Sequence, residues 1–290
     1  MLKEEKAITR EIAKSYRQAA RNIENEVSGL LESYADSEGL TLAQAKKRVK
    51  QIDIRDYEDK AKKYVKEKNF SKKANKEMKR YNLKMRVSRL EMIMSHVDLE
   101  LIALADETDK VIYDRLLSVG ENEVKRQAGI LAVEIPVSKK TIEYIATRKF
   151  HNNDFSSRIW KNKRLLHKEL KKTLTEQIVK GENPRKAARR FRQKVESSVY
   201  NSERLLRSES GRVQIEVQKQ SYEEMEIEQF MFISTEDALV CDICGPMDGK
   251  VFDVKDMQVG TNAPILHPNC RCSTSAYVDR EAFEKDLEER

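Results

Sequence analysis

A mainly α-helical protein with a small C-terminal α+β module is the fold class the sequence predicts, on three observations. The first proline of the 290 residues is Pro136, and the stretch before it is rich in Lys, Glu, Ala and Leu, residues that favour helix. Apolar residues recur there every three or four positions. At residue 228 the pattern turns to short aromatic and β-branched runs, and all four cysteines, Cys241, Cys244, Cys270 and Cys272, lie beyond that point. Long helices and helical hairpins should therefore fill about four fifths of the chain, followed by a short-stranded, zinc-clamped domain. The expected segments are an extended helical arm or hairpin region at 1–135, a helical part at 136–227, a small β-rich Cys/His module at 228–280 and an acidic tail helix at 281–290.

Residues 5–34 form the first helix, with Ile8, Ile12, Ala19, Ile23, Val27, Leu30 and Tyr34 on three-, four- or sevenfold spacings. The DSEGL turn at 36–40 ends it, Thr41 caps a short helix through Ile52, and Asp56 begins another to about Glu67. Leu83, Val87, Leu90, Met94, Val97, Leu101 and Leu104 alternate four and three apart, as a seam between long helices does. An intramolecular hairpin is preferred over a partner helix as its mate. Residues 130–137, ILAVEIPV, break the pattern. Asp154 or Ser156 caps a helix to about Lys180, closed by Gly181. Asn183-Pro184 opens the next, and a further helix runs from about Ser202 to Glu224. Strands are expected at 229–234, 249–254 and 273–279, with Asp248-Gly249 as a turn.

Composition narrows the function classes. Charged residues make up 36% of the chain and the mean hydropathy is −0.73. No apolar run reaches the roughly 18 residues of a membrane span, so no membrane partner is expected. The opening, MLKEEKAITR, lacks the apolar core of a secretory signal. Synthesis in the cytosol follows, where structural disulfides are rare. The net charge of +7 and pI near 9.0 permit contact with nucleic acid. Lys62, Lys63, Lys66, Lys72, Lys73, Lys76, Lys79 and Arg80, with Tyr64, Phe70 and Tyr81 among them, are candidate contacts to double-stranded DNA without sequence readout. A solvated helix face is the plainer alternative. Trp160, the one tryptophan, is either a core anchor or a partner-docking residue.

The cysteines fall in two scraps, CDIC at 241–244 and HPNCRC at 267–272. A single catalytic thiolate would not need four sulfurs. Zn²⁺ takes four tetrahedral sulfur or nitrogen ligands, and a CxxC turn supplies two from one knuckle. The second scrap offers His267, Cys270 and Cys272 for two places. Cys241, Cys244, His267 and Cys270 are the preferred set, because HxxC spaces its ligands as CxxC does; Cys272 is the reserve, and a site of four cysteines stays open. Four ligands leave no position for water, so the metal would be structural. No GxSxG, HExxH or glycine-rich phosphate loop occurs, and neither catalysis nor a small-molecule substrate is expected.

The run RLLRSESGRVQIEVQKQSY, then FISTEDALVCDICGPMDGKVFDV and NAPILHPNCRCSTSAYV, resembles the signature of the phage head morphogenesis family, the Mu F-like minor head proteins. The matching parts are Arg207, Glu209 and Arg212 on a helix; Thr235 and Asp237 after a strand; Cys241 and Cys244; Asp248 and Gly249; and His267, Pro268, Cys270, Arg271 and Cys272. The likeness covers roughly residues 150–280. It implies a minor structural protein of a tailed bacteriophage, held in the virion near the portal after synthesis in the host cytoplasm. Its implied partners are the portal protein and the capsid and scaffolding proteins, with DNA as a further contact. It also implies that Arg207, Glu209 and Arg212 brace their helix against the Cys/His module, an ordinary Glu209–Arg212 ion pair being the plainer alternative. Two further bracing residues are read from the residues themselves: Asp237 as a cap of the CDIC turn, with simple exposure the alternative, and Arg271 as a donor to a carbonyl or to a neighbouring carboxylate such as Asp237. A free nucleic-acid-binding zinc protein of the host cytoplasm is the alternative.

Overall fold

The computed structural model describes residues 2–35, 59, 62, 63, 66, 71, 89–180, 184–235 and 241–278. Five helices are seen among them: α1 (Leu2–Ala35), α2 (Arg89–Leu131), α3 (Lys139–Thr147), α4 (Phe155–Lys180) and α5 (Pro184–Glu224). Three short strands follow, β1 (Gln229–Ile233), β2 (Val251–Asp253) and β3 (Ser273–Tyr277). The fold class is thus mainly helical with a small C-terminal sheet, as the sequence predicts. The helix read at 41–52, most of that at 56–67, Leu83, Val87, Gly181, Asn183 and the tail helix at 281–290 lie outside the described residues. Two compact units divide the chain, one made of Met1–Val111 and Ser156–Glu203, the other of Ile112–Phe155 and Arg204–Arg290. Each joins two stretches of sequence, so the units cross the chain-order segments expected above.

The first unit is a helical bundle whose neighbours are named by their polar contacts. On α1, Ile12, Tyr16, Ala19 and Ile23 are buried at the expected spacing. Asn22 of α1 donates to Glu100 of α2 at 2.9 Å, and Tyr16 meets Ser202 of α5 at 2.9 Å. Trp160 of α4 donates its indole N–H to Asp109 of α2 at 2.9 Å, and Arg190 of α5 pairs with Glu176 of α4 at 3.1 Å. The seam reading of α2 was too narrow. Met94, Val97, Leu101 and Leu104 are buried, but so is every residue from Ile93 to Asp106 except Ser95, which is half-buried. A helix enclosed on all sides must satisfy its charges internally. Asp98 pairs with Lys163, Glu100 accepts from Asn22, and Asp106 accepts from Ser71 and pairs with Lys110 at 2.7 Å. Ser156, one of two proposed caps of α4, instead bonds the Asp109 carboxylate.

The second unit holds the sheet. Ser138 opens α3, which the sequence reading did not single out, by accepting from the Thr141 amide at 3.1 Å. α3 lies against α2 where Gly120 leaves room; a Cβ there would come within 2.4 Å of Ile142 Cγ2. The two helices expected at 184 and 202 are one, Pro184–Glu224, since no proline or glycine interrupts it before Gly211. β1 is central in the antiparallel order β2-β1-β3, with Met231 opposite Val251 and Ser275. Its inward residues, Phe230 and Phe232, are fully buried. They share one face of the strand and sit about 7 Å apart. Phe230 packs with Ile215 and Tyr222 of α5, and Phe232 packs with Cys244, Ile265 and Cys270. One strand face therefore carries both the helix core and the cysteine cluster.

Candidate metal centre

Both scraps fold into hydrogen-bonded turns. In CDIC the Cys241 carbonyl accepts the Cys244 and Gly245 amides at 3.1 and 2.9 Å. In HPNC the His267 carbonyl accepts the Cys270 amide at 3.1 Å. Equal spacing in sequence gives each turn the same bond from its fourth amide to its first carbonyl, although the backbones differ, CDIC running on into a 3-10 turn at Gly245–Met247. Asn269 adopts φ +66°, a left-handed conformation that asparagine tolerates better than most residues, and this closes the second turn.

The donors converge. His267 Nε2 lies 3.1 Å from Cys241 Sγ and 3.2 Å from Cys244 Sγ, and Cys244 Sγ lies 3.7 Å from Cys270 Sγ. Two triplets result, Cys241–Cys244–His267 and Cys244–Cys270–Cys272, each with all donor atoms within 4.8 Å and with Cys244 in common. Sulfurs about 2.3 Å from one zinc at the tetrahedral angle sit about 3.8 Å apart, and a sulfur and a nitrogen about 3.5 Å apart. The sulfur pair fits, and the histidine contacts are a few tenths of an ångström tight. The five side chains form a cluster able to hold a metal ion.

The surroundings favour a cation. The Pro268 carbonyl lies 2.9 Å from His267 Nδ1, so that nitrogen carries the proton and Nε2 turns its lone pair to the sulfurs. Burial, with the adjacent Cys270, drives the Cys244 thiol far above the ordinary range, and burial raises Cys272 as well. The Cys244 amide, 3.4 Å from Cys241 Sγ, pulls Cys241 the other way. Neighbouring thiolates are unfavourable alone; a divalent ion reverses that balance.

A hydrogen-bonded frame holds these turns. Arg207 of α5 donates to the Asn269 side chain at 3.0 Å, reaching the HPNC turn directly. Arg212 is fully buried: its Nε donates to Glu209 at 2.7 Å, and its terminal nitrogens donate to the Ile145 and Ala146 carbonyls at 2.9 and 3.1 Å. The structure thus places Arg212 on the end of α3. Glu216, also buried, lies 3.2 Å from Arg212 and 2.8 Å from Arg148. Gly211 lets Ile265 approach α5; a Cβ would meet Ile265 Cδ1 at 2.4 Å. Thr235 donates to the Arg271 carbonyl at 3.0 Å, and Asp248 accepts the Ser234 amide at 2.6 Å. Gln218, Tyr222 and Thr274 join α5 to β3, with Thr274 donating to Gln218 at 2.6 Å.

Asp237, Lys72, Lys73, Lys76, Lys79 and Arg80 lie outside the described residues, while Lys62, Lys63 and Lys66 are helical and exposed. Trp160, at 1% exposure, is a core residue of the first unit and presents no docking surface. Sequence reasoning missed Phe232, Ile265, Asn269, Glu216 and Arg148. Glu216 stands four residues after Arg212 and so was within reach of a helix-pair argument; the others meet only through the tertiary fold.

The class defined by fold and site is a mainly helical protein with a small sheet that carries paired Cys/His knuckles able to hold a metal ion. Residues 168–275 match the model of the phage Mu protein F like family, so the resemblance drawn from the sequence holds over that segment. It points to phage head morphogenesis. No curated protein and no solved structure matches the chain. No helix among the described residues is long and apolar enough to cross a membrane.

Proposed function

We propose that the protein is a minor head protein of a tailed bacteriophage that joins the portal during procapsid assembly, its two knuckles tied by one structural zinc ion. The observation that carries this reading is the convergence of all five Cys and His donors inside the segment matched by the phage Mu protein F like family. Thiolate and imidazole donors suit zinc, and four of them close the coordination shell, giving the metal a structural role and not a catalytic one. Clamping is what so short a sheet needs. Its strands run five, three and five residues, and the knuckles supply much of what packs against Phe232. The excess of positive charge supports contact with packaged DNA through phosphates, without base readout.

Mass spectrometry of purified DNA-filled heads, together with co-purification with the portal, tests the reading. It predicts a few copies per head and a complex with portal before DNA entry. Absence from heads, with salt-sensitive DNA binding by free protein, contradicts it in favour of a cytoplasmic nucleic-acid-binding protein.

A further inference from the structure

On α4 the helical angle of about 100° per residue sorts side chains into two faces. Ile159, Lys163, Leu166, Leu170 and Leu174 fall on the buried one. Opposite them, Lys161, Arg164, Lys168, Lys171 and Lys172 are all exposed and share an arc of about 120° with exposed Leu165. No acidic residue falls in that arc. From Lys161 to Lys172 the row is about 16 Å long, with a cation on average about every 4 Å.

What separates this row from an ordinary solvated face is five cations in one arc with no carboxylate among them, where the exposed cations of α1 alternate with Glu4, Glu5 and Glu11. Some exposed cations of the same unit are engaged, Arg17 with Glu196 at 3.1 Å, Arg192 with Glu24 at 3.0 Å and Lys194 with Glu169 at 3.1 Å, while Lys6, Arg10 and Lys14 of α1 are not among the described residues' ion pairs. None of the five α4 cations forms an ion pair among the described residues. Glu169, the carboxylate nearest the row in sequence, is held by Lys194 and feels Lys172 and Lys168 only as more distant charges. A row of like charges without internal counterions repels itself, and an external polyanion relieves that repulsion.

Resting on the reading of a DNA-contacting head protein, we propose that the outer face of α4 is the surface that lies along the phosphate backbone of duplex DNA. Five cations over about 16 Å span about five base pairs of axial rise, and their spacing suits successive phosphates. Leu165 is the one large apolar side chain in the row, too little to enter a bilayer, so a nucleic acid fits better than an anionic lipid surface. The sequence reading placed DNA contact at Lys62–Arg80 instead. The α4 row was hidden because its acidic neighbour Glu169 and its buried Lys163 blur the stripe until burial and pairing are known.

The test is binding of the full chain to a duplex of arbitrary sequence, read by fluorescence anisotropy between about 50 and about 200 mM salt. The probes are the wild type and two triple variants, Lys161→Gln/Lys168→Gln/Lys172→Gln and Lys62→Gln/Lys63→Gln/Lys66→Gln. Glutamine keeps the helix, and unchanged far-UV circular dichroism verifies it. The α4 variant should lower the log–log salt slope by about 2.7 and weaken binding near 0.1 M salt on the order of a hundredfold. The Lys62 set should change the slope by less. If the α4 variant binds like wild type, the surface assignment falls while DNA contact stands; if wild type itself fails to bind, both fall. Tighter binding to anionic lipid vesicles than to duplex, lost in the α4 variant, would replace DNA with a membrane and overturn the proposal.

Discussion

Replacing Arg212 with methionine keeps an unbranched apolar stem and removes the guanidinium with its charge and donors. Arg212 is fully buried between Glu209 and Glu216, which are 1% and 5% exposed, and it also donates to two carbonyls at the end of α3. Breaking a buried pair from one side leaves uncompensated charge and costs about 3–5 kcal/mol. Burial already holds the Glu216 carboxyl above its ordinary range, against the downward pull of Arg212 and Arg148. Without Arg212 it should rise further. A carboxyl raised on folding contributes stability that is present below the unfolded pKa, about 4.3, and lost as pH climbs through the folded value. The deficit of Arg212→Met should therefore grow with pH, by up to about 1.4 kcal/mol per unit across that window. Urea unfolding at about pH 5 and about pH 8 measures it, and amide exchange of residues 139–148 shows whether α3 is released. Adding Glu209→Gln and Glu216→Gln should recover much of the loss at the higher pH. A deficit below about 1 kcal/mol, or one equal at both pH values, would refute the argument.

Other perturbations have definite expected outcomes. His167, pushed down to about 4 by burial and by Lys163 and Lys171, should make stability fall as pH drops from about 6.5 towards 4, by at most about 3 kcal/mol. His167→Gln should flatten that slope in a Trp160 fluorescence titration, and an unaltered slope would exclude His167 as its source. In α2, Gly129→Ala meets nothing within 4 Å and should stabilise by up to about 1 kcal/mol, whereas Gly120→Ala drives into Ile142 and should fall about 1–3 kcal/mol below it in thermal melts. Cys244→Ser, which removes the donor common to both triplets, should abolish metal retention, while Cys272→Ser should keep it if His267 completes the site. Metal analysis after dialysis separates the two, and retention by Cys244→Ser would contradict the shared-donor geometry.

What could be read from sequence was what local pattern controls. The amphipathic spacing of α1, the start of α4 near Asp154, the three strands and the Asp248-Gly249 turn, with Gly249 at φ +70°, all depend on neighbours a few residues away. Equal CxxC and HxxC spacing made the two knuckles legible in the same manner. The enclosure of α2 was not, because burying Asp98, Glu100 and Asp106 depends on Lys163, Asn22 and Lys110 arriving from three helices, α2 itself among them. Pro184 does open α5, but splitting the helix near Ser202 gave too much weight to its polar middle, where tertiary packing overrides local composition. Arg207 was singled out by resemblance, but its partner Asn269 stands 62 residues away and only the fold brings it near.

The most direct measurement is the zinc content of the full chain purified without added metal, followed by amide exchange across residues 228–278 before and after chelation. About one zinc per chain, with protection of both knuckles and of β1 lost when it is stripped, is the expected result. Metal-free protein whose knuckles exchange no faster in chelator would show that Cys241, Cys244, His267, Cys270 and Cys272 gather for packing alone.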